Sequence, residues 1–425
     1  MTMRLGRYSI GVGDRFVHQA EAQLRACIAA HDAGVDVIPV WNKSNREHTI
    51  IGSEPESTRV AADRAVAALG WSLPYFCDAD HINLSTVERF LPACDFFTID
   101  VAVWIGKAAD DQRIEDFIRR HDELLGTIAL DGSDDRIEIT PDMLRATATH
   151  FLSAVEEAGK IYRKIEAAKG KGNFIPEISM DETDVAQSPG QLLIILAAIA
   201  DEAIPVQTIA PKFSGRFNKG VDFVGDVTHF AVELALDMSV VRHAIESYSL
   251  PDNLKLSIHS GSDKFSIYPA IYQSLTRFGT GVHLKTAGTT WLEEVTGLAE
   301  AEGEGLALAK EIYAEAFSRS AELCAPYSSV IDIDSSSLPS PAEVGRWSSG
   351  QFNATLRNHP GSASFNPSFR QLLHVGFKVA AKLGPRYIGL LESYDELIGR
   401  NVAENLFSRH IAPVFLGKPV QLLES

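Results

Sequence analysis

The sequence predicts a (β/α)8 barrel, and three observations carry that expectation. Short β-branched or aromatic runs alternate with longer stretches of helical period, the pattern of repeated βα units around a parallel sheet. Eight such runs occur, the number of strands a TIM-like barrel needs. Several runs end in a polar cluster and then enter a helix, and sites in α/β folds form where the carboxyl ends of strands meet their loops.

In order, the strand candidates are Tyr8–Val12, Val35–Trp41, Leu73–Cys77, Phe96–Val103, Phe174–Met180, Val206–Ala210, Leu254–Ile258 and Val282–Leu284. Five polar clusters follow strands: Cys77-Asp-Ala-Asp-His81, Glu177-Ile-Ser-Met-Asp-Glu182, Lys212-Phe-Ser-Gly-Arg216, His259-Ser-Gly-Ser-Asp-Lys264 and His283-Leu-Lys-Thr-Ala-Gly288. Between about residues 107 and 171 lies a charged, mostly helical insertion without a strand signal, expected to pack outside the barrel. From about residue 292 to 425 the chain reads as a helical C-terminal extension, with Leu306–Leu323 and Gln371–Leu383 its clearest segments. Residues 1–425 therefore read as one catalytic barrel domain with two elaborations. Ser335–Pro341 is Ser/Pro-rich and reads as a surface loop.

Composition bounds the function. Apolar residues make up 45% of the chain and charged residues 22%, the range of a globular protein with a large core. A formal charge of −17 repels nucleic acid and anionic lipid, which argues against both as partners and makes any local cationic cluster worth noting. Cys27, Cys77, Cys94 and Cys324 form no CxxC pair, so a reducing, cytoplasmic setting is expected. The N-terminus lacks a signal-peptide core. The longest apolar stretch, Leu192–Ala200, is far short of the roughly 20 residues a membrane-spanning helix needs.

Each cluster has a chemical reading and a plainer one. Asp78, Asp80 and His81 together can supply a metal ligand beside a base; alternatively, this stretch leads into a helix capped by Asn83 or Ser85. Glu177, Asp181 and Glu182 are three acids on or beside an apolar strand, costly unless they bind a cation or share a proton. Alternation puts Glu177, Ser179 and Asp181 on one side. Asp181 and Glu182 can instead simply begin a solvated loop. Lys212, Arg216 and Lys219 form the local cationic cluster, followed by Asp222 and Asp226. They suit an anionic substrate with a carboxylate completing a metal shell, although charged loops are commonly just solvated.

His259 closes an apolar strand and opens a Ser-Gly-Ser-Asp-Lys turn whose N–H groups and hydroxyls suit an anion or a sugar. His283 and Lys285 share one face of their strand. Lys285 can bind substrate, form a Schiff base or pair with one of the acids. The Gly11-Val-Gly13 segment invites a dinucleotide reading, but position 16 is Phe where the fingerprint needs glycine. Walker A, Gly-x-Ser-x-Gly and His-Glu-x-x-His motifs are absent from the sequence.

Seven ordered motifs, Gly11-Val-Gly-Asp-Arg-Phe16, Pro39-Val-Trp-Asn-Lys-Ser-Asn45, Asp78-Ala-Asp-His81, Glu177-Ile-Ser-Met-Asp-Glu-Thr183, Ala210-Pro-Lys-Phe213, Lys219-Gly-Val-Asp222 and His259-Ser-Gly-Ser-Asp-Lys264, resemble the tagaturonate epimerase family over most of the chain. That family interconverts the keto acids tagaturonate and fructuronate and is metal-dependent. The resemblance implies Asp80 as proton acceptor, His81 and His259 as metal ligands, and an acid of the Asp181/Glu182 pair, taken as Glu182, as proton donor; histidine ligands with one carboxylate suit a divalent cation such as zinc, nickel, manganese or cobalt. Asp222 is placed as third ligand, with Asp226 and His283 as competitors.

The two keto acids differ at C4, which is β to the C2 ketone, so the C4–H bond is not acidified. Retro-aldol cleavage of C3–C4 with re-addition is favoured over transient oxidation, because the dinucleotide fingerprint is incomplete. Lys212, His283 and Lys285 are assigned to the anionic sugar substrate, with Arg216 in reserve. A metal-dependent aldolase or aldose–ketose isomerase is the nearest rival. A non-catalytic sugar-acid binding protein is the rival from another class.

Overall fold

The computed structural model describes residues 2–130, 134–181, 183, 185–286, 288–359 and 361–421. The strands are β1 (Tyr8–Gly13), β2 (Val37–Ser44), β3 (Phe76–Ile82), β4 (Phe96–Asp100), β5 (Gly126–Ala129), β6 (Arg136–Ile139), β7 (Ile175–Ser179), β8 (Thr208–Ala210), β9 (Lys255–His259) and β10 (Val282–Lys285). Eight of them close a barrel in the order β1-β10-β9-β8-β7-β4-β3-β2. Each of the eight overlaps one of the runs read from the sequence, although β3 shares only Phe76 and Cys77 with its run and carries the Asp78-Ala-Asp-His81 cluster within the strand. Every barrel pair is parallel, and β10 closes on β1 with Tyr8 opposite Val282.

Parallel strands covered by helices are buried on both faces, which is why they read as nearly continuous apolar runs. Ile10, Val12, Val40, Phe97, Ile178, Ile209, Ile258 and Leu284 are all buried. The helices Ala20–Asp32, Pro189–Asp201, Val227–Tyr248 and Tyr268–Phe278 follow β1, β7, β8 and β9 in turn. Two of these helices have side-chain caps at their N-termini. Ser188 forms a capping box with Gln191 ahead of Pro189, and the Asp226 carboxylate accepts from the N–H groups of Thr228 and His229.

The 107–171 segment departs from the expectation in two ways. It contains an antiparallel hairpin, β5 against β6, that the sequence reading missed. The signal was present in Arg136-Ile-Glu-Ile139, whose isoleucines are buried and whose charged residues are exposed. The segment also ends in the helix Pro141–Lys169, which packs on β4 as the barrel's own outer helix between β4 and β7.

The helix Thr289–Glu300 follows β10 in the same way, so the additional helices begin at Gly303 and not near residue 292. They fold back on the barrel through a buried polar joint. Arg370 and Asp263, both fully buried, pair at 2.9 Å, while Arg370 also donates to the carbonyls of Gly220 and Leu356. Such a pair holds its geometry only because the surrounding hydrogen bonds compensate desolvation. Among the described residues no helix is long and apolar enough to cross a membrane.

Candidate active site

A cavity of about 490 Å³ opens at the carboxyl end of the barrel. Asp80, His81, Asp100, Asp181, Lys212, His259 and Lys285 line the cavity, and Tyr327, Val330 and His374 of the C-terminal region contribute to its lining.

β3 delivers two of these residues by breaking its own period. In a regular strand Asp80 and His81 would face opposite sides. The β3–β4 register shifts between Ala79 and Ile82, and His81 adopts φ +49°, so both side chains reach the cavity. A bulge and a positive φ on a non-glycine residue mark backbone held in place for a purpose.

Among the described residues, His81, Asp181 and His259 each offer one ligand atom within 4.8 Å of the others, a grouping able to hold a metal ion. The rings of the two histidines lie 5.4 Å apart, nearly perpendicular. A carboxylate holds each ring from behind. Asp100 Oδ2 lies 3.2 Å from His81 Nδ1, and Glu177 Oε1 lies 3.0 Å from His259 Nε2. His259 Nδ1 then faces Asp181 Oδ2 at 3.1 Å. A histidine anchored through one nitrogen by a carboxylate presents the other to a cation, so the donor set fits a divalent metal.

The electrostatics agree. Burial pushes the His259 pKa down, but Asp181 and Glu177 overcome it and bring the ring up to about 9. Burial raises the Asp181 and Glu177 carboxyls, yet His259 beside Asp181 and Lys285 with His259 beside Glu177 hold both below the usual range. Burial likewise works against ionised Asp80, while Lys285, His81 and His259 draw it down to about 2. Asp78 goes the other way: burial with the charges of Asp80 and Glu177 outweighs Lys285 and leaves it near 7. The cluster thus concentrates negative charge around few cations, and a divalent ion would balance it.

The remaining residues singled out in the sequence sort clearly. Asp222 is not in this group: its carboxylate accepts from the Ser266 N–H and hydroxyl and from the Phe223 N–H, and Asp181 stands where the third ligand was expected. Asp226 is an exposed helix cap. His283 lies deeper, fully buried, with Nδ1 2.9 Å from Ser9 Oγ and its ring 5.2 Å from that of Phe96; burial keeps it neutral, with a pKa near 3. It does not line the cavity.

Lys285 lines the cavity, but its ammonium is committed to Asp78, Asp80 and Glu177, the pairing alternative left open by the sequence. Lys212 lines the wall, its side chain carrying no hydrogen bond or ion pair among the described residues. Arg216 is at the rim, paired with Asp332 at 3.2 Å. Glu182 lies outside the described residues. In the turn after His259, Ser260, Ser262 and Lys264 bond to neighbouring backbone, and Asp263 to Arg370, so the turn braces the loop from Asn218 to Val221 in place of presenting donors to a ligand.

Asp100, Glu177 and Thr98 were not recognised as parts of one device. The alternation Phe96-Phe-Thr-Ile-Asp100 was a usable signal, since two polar residues two apart on an apolar strand share a face.

The comparisons with known proteins bear on the family and the fold. A family model described as tagaturonate epimerase matches residues 1–383. A tagaturonate/fructuronate epimerase of Thermotoga maritima is 28% identical over 421 residues, covering 95% of this chain and 80% of that protein. Crystal structures of a fructuronate-tagaturonate epimerase from Cohnella laeviribosi, a native form and a two-glycerol complex, superpose with a TM-score of 0.80 at 21% identity. They cover 97% of this chain and 82% to 83% of theirs, a likeness that establishes the fold. With a barrel of that fold and a family match running through every strand of the site, the chain belongs to the tagaturonate epimerase family, a family of carbohydrate isomerases.

Proposed function

We propose that the protein interconverts tagaturonate and fructuronate by a metal-dependent C4 epimerisation. Family membership supports the substrate pair, and the observation that carries the metal dependence is the anchoring of His81 by Asp100 and of His259 by Glu177, which turns both rings toward Asp181. His81, Asp181 and His259 would hold the cation; two imidazoles and one carboxylate suit zinc, nickel, manganese or cobalt. When bound, such a cation supplies Lewis acidity to the C2 carbonyl oxygen and the C3 hydroxyl.

The residues of the chain then divide the proton work. Asp80, held ionised by Lys285, takes the C4 hydroxyl proton. The C3–C4 bond breaks, its electron pair passing into the C2 carbonyl, and C4 becomes an aldehyde carbon. After the aldehyde turns its other face, the bond re-forms and a proton returns to the new C4 oxygen from the opposite side. Glu182 is our candidate for that donor on the strength of the family resemblance. Lys212 is the candidate partner for the substrate carboxylate, being a cavity-lining cation without an acid partner among the described residues.

The test is to strip the protein with a chelator and follow tagaturonate by chromatography before and after restoring each metal. Fructuronate forming only in restored samples supports the reading. Full activity in the stripped protein would remove the metal, and no conversion by folded, metal-loaded protein would remove the substrate.

A further inference from the structure

Lys285 ends β10, and its side chain crosses the barrel interior to three other strands. Its Nζ lies 2.8 Å from Asp78 Oδ2 and 2.9 Å from Asp80 Oδ1 on β3, 2.5 Å from Thr98 Oγ1 on β4, and 3.0 Å from Glu177 Oε1 on β7. An ammonium has three protons, so four acceptors at this range saturate it. The side chain is 4% exposed. It is also wedged against β1, where a Cβ on Gly11 would come within 2.8 Å of Lys285 Cγ.

What the ammonium touches matters more than its burial. Glu177 Oε1, the oxygen it binds, is the same atom that sits 3.0 Å from His259 Nε2 and 3.1 Å from Thr98 Oγ1. Asp80 Oδ1, another of its partners, lies 3.9 Å from His81 Nε2. One cation therefore fixes the acid that aims His259 and the acid beside His81. Without it, Asp78, Asp80 and Glu177 would repel one another across a buried space, and would separate or take up protons.

We infer that Lys285, braced by Thr98 and Asp78, is a positioning residue that sets Asp80 and the His259 ring together, and that it does not hold the substrate carboxylate. This rests on the proposed function only in taking the group His81, Asp181 and His259 as a cation site.

The test measures cation affinity by competition with a chromophoric chelator, using whichever of zinc, nickel, manganese or cobalt the wild type binds most tightly, together with kcat and KM on tagaturonate. The variants are Lys285→Met, the charge-balanced double variant Lys285→Met with Asp78→Asn, and Thr98→Val, which keeps the strand shape should the lysine variants fail to fold by circular dichroism. The expected result is a cation Kd raised roughly 10- to 100-fold, and a kcat lowered by about 100-fold with KM little changed. Thr98→Val shows the same pattern more weakly.

A KM raised more than about tenfold with cation affinity and kcat at wild-type values would make Lys285 a substrate anchor and overturn the inference. Variants indistinguishable from wild type, or a wild type that binds none of the four cations, overturn it as well. If the wild type binds a cation but leaves tagaturonate unchanged, the proposed substrate fails, and Lys285 stands or falls on the cation affinities alone.

Discussion

Asp100 Oδ2 stands 3.2 Å from His81 Nδ1, so the ring nitrogen turned away from that carboxylate is Nε2. Removing the carboxylate takes away the contact that fixes the orientation and tautomer of the ring from the Nδ1 side. Asp100→Ala is expected to weaken divalent-cation affinity roughly 10- to 100-fold while leaving the thermal midpoint close to wild type. Competition with a chelator and a melting curve on the stripped protein check both halves.

Asp181 and Asp222 offer a direct contrast. Asp181→Ala removes a member of the cation-holding group and is expected to cost affinity heavily. Asp222→Ala loses bonds to Ser266 and Phe223, so it should lower stability by about 1 kcal/mol and leave the cation Kd within about twofold of wild type. Equal losses of affinity in the two variants would return Asp222 to the metal shell.

The raised pKa of His259 makes cation binding pH-dependent. Below about pH 9 the ring carries a proton in the cation-free protein, held by Asp181 and Glu177, and that proton must leave when the nitrogen becomes a ligand. Affinity is therefore expected to rise about tenfold per pH unit on approaching pH 9 and to level off above it. Folding stability of the cation-free protein runs the opposite way. The contribution of this group is full below its ordinary pKa of 6.5 and is lost as pH rises through about 9. Calorimetric titrations in buffers of different ionisation enthalpy would count the released proton.

Gly11 belongs to the Gly-x-Gly segment that resembles the start of a dinucleotide fingerprint, yet its reason is local. An added methyl group would meet Lys285 Cγ at 2.8 Å and His283 Nε2 at 3.4 Å. Gly11→Ala should destabilise the fold by about 1–3 kcal/mol, read from urea denaturation, and lower kcat by displacing Lys285. A variant as stable and active as wild type would show that β1 can retreat.

The barrel was legible because covered parallel strands leave apolar runs, and their polar terminations pointed at Asp80, His81, His259 and Lys285. What escaped depends mostly on contacts between segments distant in the chain. The sequence favours Asp222 over Asp181 as third ligand, because nothing local reveals that the Asp222 loop folds onto Ser266. The joint delivery of Asp80 and His81 depends on a bulge opposite β4, a feature of pairing and not of the strand itself. The hairpin of β5 and β6 escaped because four-residue alternations are weak signals inside a charged segment.

The seam between β1 and β10 joins residues such as Tyr8 and Val282 that are far apart in the chain. Contacts of that sequence separation are slow to form, because the entropy of closing so long a loop precedes any reward. During synthesis the first strand must wait, unpaired on that edge, until the last barrel strand has emerged. Lys285 sits on that final strand, so the acids of β3 and β7 remain without their shared counter-ion until closure. The assembly of the site and the completion of the barrel are then a single kinetic event, and recovery of cation binding during refolding should coincide with the slowest folding phase.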